Sequence, residues 1–346
     1  MKTIYSYFAA MVVLLLLFAS CQQEIGFGDT TTVSPPANNG PASFTLLGAP
    51  GACMNDTVTG NYIQGIQLDT GNYVKISVNV LAAGSYSIST NTVNGYSFSV
   101  NGTFAATGPQ TVRLLSTGTP SNPGTDMFTV IAGALTCGFS VTVLPVVTTT
   151  NNDLFPLTFN SNWFYDDALS SSGNLKRAII DSLTISSKLY KIMNEQGGTG
   201  SPRVYNYRKS GSDYFEYAQV DIYTSTVRYN KLIYDDLPFL KEGVVAGDTW
   251  NSTEYSDTAS FGQVINIQYV YTCVAADVPV VVNGKAFTHA YKIQMRPQIR
   301  SLDHGFGPTG EVYNYIYVKG IGLVSYKETN LSANYGELKI SNWLVN

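Results

Sequence analysis

From Phe44 onward this chain is dominated by runs in which apolar and polar residues alternate. "YVKISVNV" (73–80), "GSYSIST" (84–90), "GYSFSV" (95–100), "TVRLL" (111–115), "MFTVI" (127–131) and "FSVTVLP" (139–145) all repeat with a period of 2. That period sends successive side chains to opposite faces of an extended backbone, leaving one face to bury and one for water. Between the runs stand turn sequences such as "AAG", "TVNG" and "TPSNPGTD", at intervals of roughly 10 to 15 residues. The pattern predicts an all-β chain.

Six or seven such strands across residues 44–146 match the dimensions of an immunoglobulin-like β-sandwich. Residues 147–153, polar and β-branched, read as a linker. A second series fills 154–346, including "KRAIIDSLTI", "RVYNYRK", "DYFEYAQVDIYT", "QVINIQYVYTCV", "AFTHAYKIQMRP" and "EVYNYIYVKG". It predicts about ten antiparallel strands in a curved sheet or half-barrel, with room for a short helix near 167–180. Two domains suit a length of 346 residues. Only 13% of residues are charged and the net charge is −4, so the chain lacks the basic field that nucleic acid or a polyanion requires.

The amino terminus has Lys2, an apolar stretch from Phe8 to Ala19, and then Ser20 and Cys21. This is the anatomy of a signal peptide over residues 1–20. As a helix the apolar stretch would rise about 18 Å, against a hydrocarbon core of about 30 Å, so a permanent span is the poorer reading. The stretch "LFASC" resembles a bacterial lipobox, although Phe18 stands where Leu is usual. The resemblance implies that Cys21 is lipidated, becomes the first residue of the mature chain and makes the membrane its partner. Residues 21–43 carry Pro35-Pro36 and Asn38-Asn39-Gly40 and read as a flexible tether, able to reach on the order of 70 Å when extended. Gln22 does not resemble the aspartate that retains some lipoproteins at the inner membrane, which points to the outer membrane.

In an exported protein Cys53 and Cys137 are natural disulfide partners, and the alternative is two separately buried thiols. Cys273 is then left over, either buried and inert or a reactive thiol. "GAC", "GSYSISTNTVNGYSFSVNGTF", "TGPQTVRLLSTGTP", "GTDMFTV" and "CGFSVTV" resemble an immunoglobulin-like module repeated in Bacteroidetes envelope and surface proteins. "LFPLTFNSNWFYD" (154–166), "LKEGVVAGDTWNS" (240–252) and "YIYVKGIGLVSYKE" (315–328) resemble landmarks of bacterial lipoproteins of unknown function. That group is related in shape to Lol-type carriers, and here Asn160-Ser161-Asn162 replaces its usual Gly-Asn. These resemblances imply fold and carry no catalytic residues.

No motif assigns a reaction, a cofactor or a metal site. His289 lies in a strand-like run, whereas His304 sits beside Asp303 in the Gly-rich "SLDHGFGPTG". Asp166-Asp167 and Asp235-Asp236 are adjacent pairs whose side chains point to opposite faces of a strand, so neither pair is a glycosidase dyad by itself. Asp166, Asp235, Asp303 and Glu311 would serve as one only if folding brought two of them together. Tyrosines crowd the second domain, and Tyr205, Tyr207, Tyr217, Tyr269, Tyr271 and Tyr315 are candidates for a ligand groove. The competing reading makes them core and cross-strand pairs, and it extends to Trp163, Trp250 and Trp343 as core residues. Three functions follow: a non-enzymatic lipid-anchored envelope protein, a carrier of an apolar ligand or lipid in a half-barrel, and a glycan-binding or glycan-cleaving envelope protein.

Overall fold

The computed structural model describes residues 40–168, 174–197, 202–220, 233–258, 264–301, 305–329 and 334–346. The predicted signal segment, Cys21, most of the tether, Asp303 and His304 lie outside these residues. Among the described residues there is no helix, and the strands form two separate sheets.

Nine strands make the first sheet. They are β1 (Ser43–Leu46), β2 (Thr57–Thr59), β3 (Tyr62–Ile63), β4 (Tyr73–Ala82), β5 (Gly84–Thr90), β6 (Tyr96–Phe104), β7 (Gly108–Gly118), β8 (Gly124–Ala132) and β9 (Leu135–Leu144). They run in the order β1-β4-β7-β6-β5-β8-β9-β3, with β2 beside β4. The strands beyond the predicted six or seven are the short ones, β1 to β3, in which alternation has no length to show itself. In β4 the alternation works as expected, since Val74, Ile76, Val78 and Val80 are all buried. The β5–β8 junction consists of only Ser89 opposite Ile131 and Thr90 opposite Val130. The sheet curls over there, bringing Phe98 of β6 edge-on against Phe128 of β8 and Phe139 of β9, with ring centroids 5.1 and 5.4 Å apart. Cys53 is disulfide-bonded to Cys137 of β9, 84 positions along the chain. A loop of that length gives the bridge a stabilising contribution of about 4 to 5 kcal/mol in the chain-entropy treatment.

The second sheet has fourteen strands. They are β10 (Asn162–Asp167), β11 (Asn174–Ile185), β12 (Lys188–Gly197), β13 (Arg203–Ser210), β14 (Asp213–Gln219), β15 (Tyr234–Lys241), β16 (Thr249–Asn251), β17 (Tyr255–Thr258), β18 (Val264–Val282), β19 (Lys285–Ser301), β20 (Gly307–Pro308), β21 (Val312–Val318), β22 (Gly322–Thr329) and β23 (Asn334–Leu344). The path is β15-β14-β13-β12-β11-β10-β23-β22-β21-β19-β18-β16, with β17 beside β18 and β20 beside β19. Every pairing in it is antiparallel. Two meanders, β10 to β15 and β16 to β23, are therefore joined side by side through the first and last strands. The count exceeds the predicted ten because short strands flank the long ones. The short helix considered near 167–180 is replaced, over its described residues, by the end of β10 and the start of β11; "KRAIIDS" pairs with β12 across a register shift between Ile179 and Asp181.

Two landmark segments meet in this core. Trp163 of β10 donates its indole N–H to the Ile321 carbonyl at 2.5 Å, and the Tyr165 hydroxyl donates to the Leu323 carbonyl at 2.9 Å. Gly320 must lack a side chain, because at φ 78° a Cβ would fall 2.4 Å from the Asn151 carbonyl oxygen and 2.3 Å from the Thr149 hydroxyl. The segment read as a linker is accordingly tied to the second sheet. The Val147 amide donates to the Ala286 carbonyl, the Gly320 amide to the Asp153 carbonyl, and the Lys209 ammonium bridges the Asp153 and Glu242 carboxylates.

The sheet curves until its two edges meet. β15 and β16 share no ladder among the described residues, yet the Trp250 indole N–H donates to the Pro238 carbonyl at 2.6 Å and the Tyr255 hydroxyl to Asp235 Oδ2 at 3.0 Å. Side chains thus bridge edges that would otherwise present unpaired backbone groups. Tyr255→Phe removes one bond and keeps its ring, whereas Trp250→Phe removes the indole donor and part of the aromatic volume as well. Each is expected to lower stability by about 1 to 2 kcal/mol, and the pair to accelerate amide exchange in β15 and β16 but not in the first sheet. Unchanged exchange at both edges would show that these side chains do not hold the seam.

Candidate functional site

Between the curved walls of the second sheet lies a cavity of about 410 Å³. That is within the size range of small-molecule sites and far larger than a packing defect. Its two halves differ chemically. The first meander supplies Arg177 from β11, Glu195 from β12, Arg203, Tyr205 and Tyr207 from β13, and Glu216 from β14, with Leu237 and Phe239 from the edge strand β15. The second meander supplies Tyr271, Met295, Tyr315, Tyr317, Leu323, Tyr326 and Leu338, and no ionisable group other than phenols. Phe155, from the segment before β10, closes part of the space by packing edge-on against Tyr207, Phe239 and Tyr317, at centroid distances of 5.0, 5.3 and 6.0 Å.

The charges inside the wall are organised around Arg177. Its guanidinium places Nη2 2.7 Å and Nε 2.8 Å from Glu195 Oε2, with the two side chains 12% and 9% exposed. The same guanidinium lies 5.2 Å from the Tyr205 ring centroid and 5.5 Å from that of Tyr165, within cation–π range of both. The Tyr205 hydroxyl donates to Glu195 at 3.3 Å. Arg177 and Glu195 therefore form a hydrogen-bonded, charge-neutral pair in the wall.

Glu216 is different. Across β13 it faces Tyr207, and across β15 it faces Leu237. Among the described residues no lysine, arginine or histidine forms an ion pair with it. Burial pushes its carboxyl up to about 7, opposed by the Arg177 charge and a hydrogen bond with Tyr207 and reinforced by the Glu195 charge. Burial likewise lifts the phenols of Tyr207, Tyr271, Tyr315 and Tyr317 well above their ordinary value, with the Glu216 charge adding to each. These phenols stay neutral across the physiological range.

Of the six tyrosines singled out in the sequence, Tyr205, Tyr207, Tyr271 and Tyr315 line the cavity. Tyr217 is next to Glu216 and so points to the other face, where its ring lies 5.7 Å from Tyr190 and 6.1 Å from Tyr234. Tyr269 shares a face with Tyr271 but is buried in the core and does not reach the wall. Arg177, Glu195 and Glu216 were not singled out. Arg177 and Glu195 stand in alternating runs, and Glu216 has the same parity as the buried Tyr214, which is the trace they leave in the sequence.

The other candidates are placed elsewhere. Asp166 accepts a hydrogen bond from the Asn283 amide at 2.5 Å, Asp235 from Tyr255, and Glu311 from the Tyr313 hydroxyl at 3.2 Å. Each of these three acids is thus engaged by a different partner, and none lines the cavity. Asp167 does line it, whereas Asp236 is bound by Lys188, Arg208 and the Tyr190 hydroxyl. His289 makes a surface pair with Asp277, Nδ1 to Oδ1 2.7 Å. Cys273 is buried, and burial pushes its thiol up, the condition of an unreactive cysteine. Among the described residues no group of three or more His, Cys, Asp or Glu is placed to hold a metal ion, and no helix is long and apolar enough to cross a membrane.

The raised Glu216 carboxyl has a consequence for stability. The folded protein holds this proton between about pH 4.5 and 7, where the unfolded chain has released it. Stability therefore falls as pH rises across that interval, by about 3 kcal/mol at most. Glu216→Gln removes the contribution. It should be close to neutral at pH 4.5 and stabilising at pH 8 in denaturant unfolding, and an equal effect at both pH values would contradict the burial of the carboxyl.

No protein-family model and no curated protein matches this sequence. Among solved structures, the chain is similar to a candidate exported protein with a YmcC-like fold from Bacteroides fragilis, at 12% identity and a TM-score of 0.34 over 56% of this chain and 99% of that one. It is also similar to a candidate lipoprotein from Parabacteroides distasonis, at 10% identity and a TM-score of 0.33 over 56% of this chain and 99% of that one.

Proposed function

We propose that this protein is a lipid-anchored, non-enzymatic component of a bacterial cell envelope, and that its second sheet binds a small amphiphilic molecule. The observation that carries the binding reading is the cavity of about 410 Å³, bordered on one side by charges and phenols and on the other by Tyr, Met and Leu side chains. A β protein serving only as a spacer gains nothing from such a space, because an unfilled core forfeits the dispersion contacts that close packing supplies. The two-sided wall fits a molecule with a polar group and an apolar portion. It does not fit a purely apolar lipid, whose insertion would strip water from Arg177, Glu195 and Glu216 without replacing it.

The anchoring reading rests on the lipobox resemblance at "LFASC" and on the Pro- and Asn-rich segment that follows. On this reading Cys21 fixes the chain to the outer membrane, and the first, disulfide-bonded sheet, an immunoglobulin-like module, holds the second away from the lipid surface. The fastened 147–153 segment supports a defined relation between that spacer and the binding sheet.

Two experiments separate the two halves of the proposal. N-phenyl-1-naphthylamine, a neutral fluorophore whose aryl rings carry one N–H donor, should brighten on binding the full chain, and Leu237→Trp should weaken its binding at least tenfold while the far-ultraviolet spectrum and thermal midpoint are kept. Equal binding by the Trp variant would place the fluorophore elsewhere and remove the support for the cavity. Cys21→Ala should move the protein from the membrane fraction to the soluble fraction, whereas retention in the membrane would contradict the anchor.

A further inference from the structure

Glu216 is a half-buried carboxylate on the cavity wall that forms no ion pair among the described residues. Register sets Tyr207 on one side of it and Leu237 on the other. Across the cavity Tyr271, Tyr315 and Tyr317 lie close enough for its charge to act on their phenols. The nearest guanidinium, that of Arg177, is committed to Glu195 by two hydrogen bonds and lies against the rings of Tyr165 and Tyr205. Among the described lining residues the guanidiniums are those of Arg177 and Arg203 and the carboxyls those of Asp167, Glu195 and Glu216. With Glu216 ionised, the described lining carries three carboxylates against two guanidiniums.

Three classes of polar head group can be compared. An anionic head would meet that carboxylate in a setting of low dielectric, where like charges repel most strongly. A neutral polyol would gain hydrogen bonds from the phenols but would leave Glu216 uncompensated. A cation supplies the missing ion-pair partner, and the aromatic rings around it add the attraction of their negative faces. We propose that the ligand is an organic cation, an amine or quaternary ammonium, whose charged head sits against Glu216 among Tyr207, Tyr271, Tyr315 and Tyr317 and whose apolar portion lies along Met295, Leu323 and Leu338. This rests on the amphiphile-binding reading given above and specifies its head group.

The same arrangement makes the binding depend on pH. The groups acting on Glu216 are Arg177 from β11, Glu195 from β12, Tyr207 from β13, Tyr271 from β18, and Tyr315 and Tyr317 from β21. Leu237 of β15 contributes no charge. None of the phenols titrates below Glu216 itself, so the proton that competes with the ligand is the Glu216 proton, and affinity for a cation falls as pH drops through about 7.

The test uses the full chain with N-phenyl-1-naphthylamine bound, displaced by octyltrimethylammonium, 1-octanol or octyl sulfate below their micellar concentrations. At pH 8 the ammonium should displace the fluorophore at least tenfold better than octanol, and octyl sulfate should be the weakest. The advantage should shrink roughly tenfold at pH 6, following the ionised fraction of a group near 7. Glu216→Gln should lose both the ammonium preference over octanol and its pH dependence; Tyr315→Leu should reduce the preference in a protein that retains the carboxylate. An ammonium no better than octanol, or a preference that survives Glu216→Gln, overturns the cation assignment and leaves the amphiphile reading standing. If the fluorophore does not bind the wild-type chain at all, the cavity-binding reading fails and takes this one with it.

Discussion

The second sheet depends on one pairing, that of β10 with β23. These strands come from opposite ends of the segment, with Trp163 directly opposite Trp343. Each meander alone would be an open sheet with a long unpaired edge and one apolar face exposed. Joined, they make a sheet long enough to curve around an interior. Trp163 strengthens this junction from within, since its indole reaches past the neighbouring strands to the Ile321 carbonyl and so fixes the tight turn before β22. Gly320 in that turn makes room for the incoming 149–153 backbone, and the same residues carry Phe155 to the mouth of the cavity.

Curvature then brings β15 toward β16, and the seam between them is held by side chains. A backbone ladder fixes register rigidly over several residues, whereas two side-chain bonds tolerate displacement along the strand. Leu237 and Phe239, beside Glu216, therefore lie on a strand held by a ladder to β14 on one edge and by side chains on the other. Local stability varies in this way across many folds, and binding elements are drawn from the less constrained end.

The strands were legible in the sequence because a period of 2 is imposed by the backbone itself, as Val74, Ile76, Val78 and Val80 show. Their partners were not, since alternation states that a strand has an inner face and is silent about which strand lies next to it. The pairing of β10 with β23 and the meeting of β15 with β16 have no local signature. Bulges add a second limit. The β18–β19 hairpin shifts register between Cys273 and Ala275, again before Val278 and again before Val280, and each shift breaks the parity by which inward positions are counted. Within the site, Tyr207 and Tyr271 were readable as inward aromatics, while Tyr217 was misplaced by one position of parity and Tyr269 by its height along the strand. Phe155 belongs to a segment with no period at all. Glu216 leaves a faint trace, a charge of the same parity as the buried Tyr214 in "DYFEYAQ", but a single carboxylate in a strand has no spacing that marks it as a site.

The two meanders contribute unlike halves to one interior. Charge enters from β11, β12, β13 and β14, while the opposite wall from β18, β19, β21, β22 and β23 offers rings and aliphatic side chains. A ligand held between them would be oriented by that difference before any specific hydrogen bond is made, because reversing it would desolvate the charged groups against an apolar chain and expose that chain's partners to a polar head. Arg177 and Glu195 satisfy each other, so the orienting wall keeps its polarity at little electrostatic expense. Glu216 has a hydrogen bond with Tyr207 and feels the Arg177 charge, but among the described residues it has no ion-pair partner. Leu237, directly across the strand from Glu216, offers it no charge, so on the cation-binding proposal the balancing charge would come from the ligand's head group.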